Sequence, residues 1–131
     1  MKPNLILVSL AALVISQTTS ATSWVITDSA HPIEPTNDIR VILIDQLSTL
    51  EEQLSSGLPF SPAAAQAMFG ERMTDEMSAR VERSHQDIID AWSLGVTKTP
   101  AVVVDRKYVV YGDSNIERAL SKIQSYRESH P

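Results

Sequence analysis

Residues 95–120 read GVTKTPAVVVDRKYVVYGDSNIERAL, and the fold is decided there. Leu94-Gly95-Val96 closes a helix, with glycine free to take the left-handed conformation and Val96 folding back on the last turn. Thr97-Lys98-Thr99-Pro100 then leads into residues 101–105 (AVVVD), a buried-strand signature. Arg106-Lys107 turns the chain, and residues 108–111 (YVVY) return antiparallel. No Asn-Gly or Asp-Gly marks the turn, so its type stays open. Gly112 ends the strand. Ser114-Asn115-Ile116-Glu117 matches a capping box, and Ile116, Ala119, Leu120 and Ile123 form the buried face of a last helix. Residues 125–131 are expected to fray.

Upstream, residues 24–28 (WVITD) read as a short strand running into polar residues. Residues 29–39 (SAHPIEPTNDI) hold two prolines and no helical stripe, which makes them a loop. Residues 40–45 (RVILID) form a second strand whose continuous apolar centre suits cover on both faces, as in parallel sheets. Leu47, Leu50 and Leu54 recur at helical spacing until Gly57 and Pro59 stop the helix. Ser61-Pro62 starts another. The stripe Ala65, Phe69, Met73, Met77, Val81, Ile88 and Trp92 fits one long helix or two. We favour two, broken at Gly70, with Thr74 capping the second and Asp75-Glu76 at its positive end. Trp92 is expected to pack on the sheet. Two early strands, a late hairpin and a final helix call for a mixed α/β sheet with helices on both faces.

The chain has 131 residues, a formal net charge of −5 and no cysteine. Dithiol redox chemistry, disulfides, iron–sulfur clusters and cysteine-rich zinc sites are excluded. Lys2 is the only charge before Asp28, and residues 5–15 (LILVSLAALVI) are apolar or small. A positive start, a short apolar core and the small polar stretch QTTSATS describe a secretory signal peptide. As a helix the core rises roughly 16 Å, short of the ~30 Å that a membrane span needs. The expected cut falls after Ala21, with Ser23 as competitor, leaving 22–131 as one domain in the periplasm. The alternative is an uncleaved anchor. The acidic balance argues against nucleic acid as a partner.

The stretch 95–120 resembles the closing half of a thioredoxin-like domain, with Thr-Pro before a buried strand, a hairpin, a glycine and a final helix. That resemblance implies a cis Thr99-Pro100 bond beside the loop that carries the chemistry in that superfamily. It also implies a mixed sheet of about four strands. Two departures stand out. CxxC is replaced by Ser29-Ala30-His31-Pro32, and residues 29–39 are barely enough for a parallel crossover, so the first crossover helix is vestigial or absent. A further likeness spans nearly all of the chain after residue 21. VITDSAHPI (25–33), SSGLPFSP (55–62), AWSLGVTKTPAVVVD (91–105) and YVVYGDSNIERAL (108–120) are similar to small exported proteins of bacterial integrating conjugative elements. Those proteins are assigned to type IV secretion gene clusters, which implies protein components of a conjugative apparatus as partners.

Asp28, Ser29 and His31 sit where the superfamily does chemistry, opposite Thr99-Pro100. A triad would need His31 to take the Ser29 proton while Asp28 orients the ring. Three residues within one tetrapeptide rarely converge that way. Local structure is the leading alternative: Asp28 and Ser29 close a turn and His31 packs on Pro32. Between these stands a binding surface formed by Asp28, Ser29, His31, Pro32, Thr99 and Pro100, with residues beside the proline open to an extended segment. His31, His85 and His130 lack metal-ligand spacing, and His85 is expected to be a partly buried neutral histidine. Met68, Met73 and Met77 with Phe69 are read as core ahead of an adaptable groove. Tyr108 and Tyr111 lie on opposite faces of their strand, one of them open to a partner. No phosphate loop is present, and no cofactor is expected. The expected function is non-catalytic binding in a conjugative apparatus. The alternatives are a small enzyme using Asp28, Ser29 and His31, and a general periplasmic chaperone. The oligomeric state is left open.

Overall fold

The computed structural model describes residues 22–34 and 36–131; the signal-peptide expectation for 1–21 falls outside them. Eight elements follow in order: β1 (Ser23–Thr27), β2 (Ile39–Leu43), α1 (Gln46–Ser55), α2 (Pro62–Arg72), α3 (Asp75–Ser93), β3 (Ala101–Val104), β4 (Tyr108–Tyr111) and α4 (Ile116–Ser129). The strands form one sheet in the order β2-β1-β3-β4. β1 and β2 are parallel, with Val25 opposite Val41; β1 with β3 and β3 with β4 are antiparallel, with Val102 opposite both Val25 and Val110. This is the thioredoxin-like α/β fold, and the Thr99-Pro100 bond is cis. Among the described residues, the β1–β2 connection carries no helix.

Period-2 alternation in the central strands splits the core into two layers. Trp24, Ile26, Ile42 and Val103 face Ala91 of α3 and Leu94 just past its end, with Val96 and Val109 closing that side. Val25 and Val102 face Ala119 of α4, joined by Ile33, Val41, Val110 and Ile116. Every residue of β1 and of β3 is buried, because each has a neighbour on both sides and a helix on both faces. α1 buries Leu50 and Leu54 and packs on α3. Gly57 and Gly95 take positive φ (64° and 71°) where α1 and α3 stop.

Several local expectations are corrected. β2 pairs parallel to β1 as expected, but it spans Ile39–Leu43 with Ile42 alone fully buried, because it lies at the sheet edge with a partner strand on one side only. The helical stripe breaks at Met73-Thr74 and not at Gly70, since the Thr74 hydroxyl accepts the Met77 N–H (3.2 Å) and fixes the start of α3 there. Ser61 precedes α2 without a side-chain cap bond. The last helix is capped by Asn115, not Ser114. Asp113 Oδ1 takes the Asn115 N–H (3.0 Å) and moves the start one residue on, so that Asn115 accepts from Arg118 N–H (2.7 Å). The hairpin turns on Asp105-Arg106, whose φ values of 53° and 55° are the positive pair of a type I′ turn.

Residues 125–129 remain helical because their side chains dock. The Tyr126 ring meets Tyr108 edge-on at 6.2 Å, and Arg127 lies over Tyr108 at 4.8 Å and pairs with Asp105. The neighbouring Arg127 and Lys107 hold the Tyr108 hydroxyl pKa below its usual value. Met68, Met73 and Met77 are half-buried rather than core. His85 is exposed, its Nδ1 3.0 Å from the Val81 carbonyl of its own helix. Trp92 is 81% exposed. α3 approaches the sheet through the small residues Ser84 and Ala91, and Trp92, one position and about 100° further round, is turned away from it.

Candidate functional site

The chain leaves β1 at its carboxyl end and turns at once. His31 N–H returns to the Asp28 carbonyl (3.1 Å), and the buried Thr27 hydroxyl donates to the His31 carbonyl (2.7 Å). Asp28 organises this turn from within. Its Oδ1 accepts the Ala30 and His31 N–H groups, both at 3.0 Å, and lies 2.8 Å from His31 Nδ1. An ionised carboxylate can only accept, so Nδ1 carries the proton in this pair. Asp28 Oδ2 accepts from the Thr99 hydroxyl at 3.1 Å, across a separation of 71 residues. The His31 ring, with the Thr99 hydroxyl and the Ala30 N–H, holds the Asp28 carboxyl below the usual carboxylate range. Asp28, His31 and Thr99 thus form one hydrogen-bonded cluster at the carboxyl ends of the two parallel strands, where open α/β sheets place ligands.

The other expected residues are placed differently. Ser29 N–H donates to Asp45 Oδ2 (3.0 Å), and among the described residues no hydrogen bond joins the Ser29 hydroxyl to His31. Pro32 lines a separate shallow cleft with Ile33, Asn115 and Ile116, not the one that Thr99 borders. Pro100 is buried, its carbonyl taken by Gly112 N–H (2.9 Å). The backbone N–H and C=O of Thr99 have no partner among the described residues. No group of three His, Asp or Glu side chains among those residues is placed to hold a metal.

Thr99 also borders a mainly apolar cleft of about 350 Å³, lined by Ile26, Ile44, Ile88, Trp92 and Val96, with Thr97 and Lys98 on its polar side. Ile26 forms its floor from β1, and the exposed Trp92 and Ile44 stand at its rim. The chemistry available here is recognition: an apolar trough, an indole edge, unpaired backbone at Thr99 and a polarised Asp–His pair. Trp92 and Asp45 are residues that sequence reasoning missed. The small residues Ser84 and Ala91, two turns apart on one face, signal a tight helix–sheet approach that leaves no room for a neighbouring indole. Asp45 precedes α1 as a helix cap would, yet makes no side-chain cap bond and takes the loop N–H of Ser29 instead.

No curated protein and no solved structure matches the chain. A family model described as "Protein of unknown function (DUF1525)" matches residues 20–129, a span that holds every element and the whole Asp28–His31–Thr99 cluster, and the chain belongs to that family.

Proposed function

We propose that this protein is a non-catalytic, exported component of the transfer apparatus of an integrating conjugative element, working by protein binding in the periplasm. The carrying observation is the cleft beside Thr99, with its exposed Trp92 and unpaired backbone, next to an Asp28–His31 pair to which, among the described residues, the Ser29 hydroxyl makes no hydrogen bond. An extended segment can pair with the backbone of Thr99 while an apolar side chain enters the cleft, a form of strand addition. The signal-like start and the likeness of segments 25–33, 55–62, 91–105 and 108–120 to conjugative-element proteins support the location and the apparatus. Among the described residues no helix is long and apolar enough to cross a membrane.

Donor cells carrying the element provide the test. Trp92→Ala and His31→Ala are each expected to lower transfer frequency at least about tenfold, the effect of losing roughly 1.4 kcal/mol of binding, at unchanged protein level. Ser29→Ala keeps the N–H that Asp45 uses and should transfer like wild type. Unimpaired transfer by both Trp92→Ala and His31→Ala contradicts the proposal. Equal losses for Ser29→Ala and His31→Ala with normal transfer for Trp92→Ala would favour an enzyme instead.

A further inference from the structure

Residues 53–70 (QLSSGLPFSPAAAQAMFG) contain no charged side chain, in a chain where 21% of residues are charged. They span the end of α1, the loop 56–61 and most of α2. Leu54 is buried at its start, but the helix that follows is lightly held. α2 buries no residue, Phe60 is fully exposed, and Phe69 is 38% exposed. What fastens α2 is one guanidinium: Arg72 Nη1 donates to the carbonyls of Leu54 (2.9 Å) and Ser56 (2.7 Å), and Nη2 lies 3.3 Å from Met68 Sδ. A surface helix normally buries an apolar stripe. Here Ala65, Met68 and Arg72 form the half-buried line against the domain, and Ala63, Ala67 and Gly70 lie on the exposed opposite line.

We infer that this face is where a second copy of the chain docks, through an antiparallel α2–α2 contact about a twofold axis. Charge selects the occupant. Two acidic copies repel, and a twofold contact sets each surface against itself, so a charged face meets its own charges. The 53–70 face escapes that penalty. Its register is also self-complementary. With the axis crossing the exposed line between Ala63 and Ala67, at the level of residue 65, Phe60 lies opposite Gly70 of the partner and Ala63 opposite Ala67, a bulky ring against the position that lacks a side chain. Gly70 has no explanation within one chain: a Cβ there would meet nothing within 4 Å, and glycine weakens a helix interior relative to alanine. A lipid surface fits less well, because the face lacks the Lys and Arg of interfacial helices and is flanked by Glu51, Glu52, Glu71 and Asp75.

One helix pair falls at the small end of interface sizes, so the expected dimer is weak, with a Kd of roughly 10–100 µM. Sedimentation equilibrium on protein expressed from the full-length sequence reads this directly. Wild type should pass from monomer to dimer across that range. Phe60→Ala should raise the Kd at least about tenfold, as loss of an aromatic anchor does. Gly70→Ala is the discriminating variant: it should raise the thermal unfolding midpoint of the monomer and still weaken the dimer several-fold. A wild-type monomer at about 500 µM, well above the expected Kd, overturns the inference. So does a dimer indifferent to both substitutions, or binding to vesicles of phosphatidylglycerol and phosphatidylethanolamine that depends on Phe60. Transfer frequency plays no part in these readouts, so failure here leaves the proposed function standing.

Discussion

Replacing Ile26 by alanine should lower the stability of the domain by about 3–4 kcal/mol, a large share of the roughly 5–15 kcal/mol that a domain of this size commands. Ile26 is 1% exposed, pairs in register with Ile42 on one side and Ala101 on the other, and packs in the layer that faces Ala91 and Leu94. Truncation removes the transfer energy of the lost carbons and leaves a cavity. The sheet backbone, hydrogen-bonded on both sides of β1, cannot move in to fill it. Chemical denaturation followed by circular dichroism would show a lower midpoint with an unchanged slope, and the melting temperature should fall by more than about 10 °C. Ile89→Ala is the control, since Ile89 is 59% exposed and its change should stay within about 0.5 kcal/mol. A loss below about 1 kcal/mol at Ile26 would mean that this layer is not the close-packed core described.

The second large effect is expected at Asp113. Its side chain is only 5% exposed, yet it accepts from the Asn115 N–H (3.0 Å), Arg118 Nε (2.8 Å) and Nη2 (2.6 Å), and Lys122 Nζ (3.0 Å). One carboxylate therefore sets where α4 begins and clamps its first two turns. The Arg118 guanidinium, followed by the Lys122 ammonium, holds its carboxyl far below the ordinary value of 3.8. The folded state thus favours the ionised form. That contribution is fully present above the unfolded value of 3.8 and is lost as pH falls from there toward the folded value. Asp113→Asn should lower the melting temperature by roughly 5–10 °C at neutral pH, because both cations lose their counter-charge and one acceptor oxygen becomes an NH2 donor. The gap between wild type and variant should hold steady down to about pH 5 and narrow below about pH 4, as wild type takes up its proton. A gap that widens on acidification would contradict this sign.

How far the sequence discloses the fold depends on whether a property is local. β3 is legible because AVVV needs cover on both faces, and the glycines at 57, 95 and 112 mark real chain reversals. Thr74 announces α3 because a capping hydroxyl acts within one turn. The position of β2 at the sheet edge is different. Its run 41–44 signals cover on both faces but not its place in the sheet, and only pairing order, a tertiary property, leaves its outer side open. Trp92 shows the same limit: helical spacing places it near the stripe, but the depth of contact set by Ser84 and Ala91 decides its exposure. At the site, the turn chemistry of Asp28 with residues 30 and 31 is local and foreseeable. The bond from Thr99 to Asp28 and the tie from Ser29 to Asp45 join distant segments, and only the assembled sheet brings them together.

We propose that the cleft beside Thr99 receives a protein of a conjugative transfer apparatus. Photocrosslinking in donor cells tests it most directly, with a photoreactive phenylalanine derivative placed at position 92 on the cleft rim and, as control, at position 117 on α4. The account predicts an adduct with an element-encoded protein from position 92, absent from position 117 and lost when the element is removed. No such adduct from position 92, or the same adducts from both positions, would contradict it.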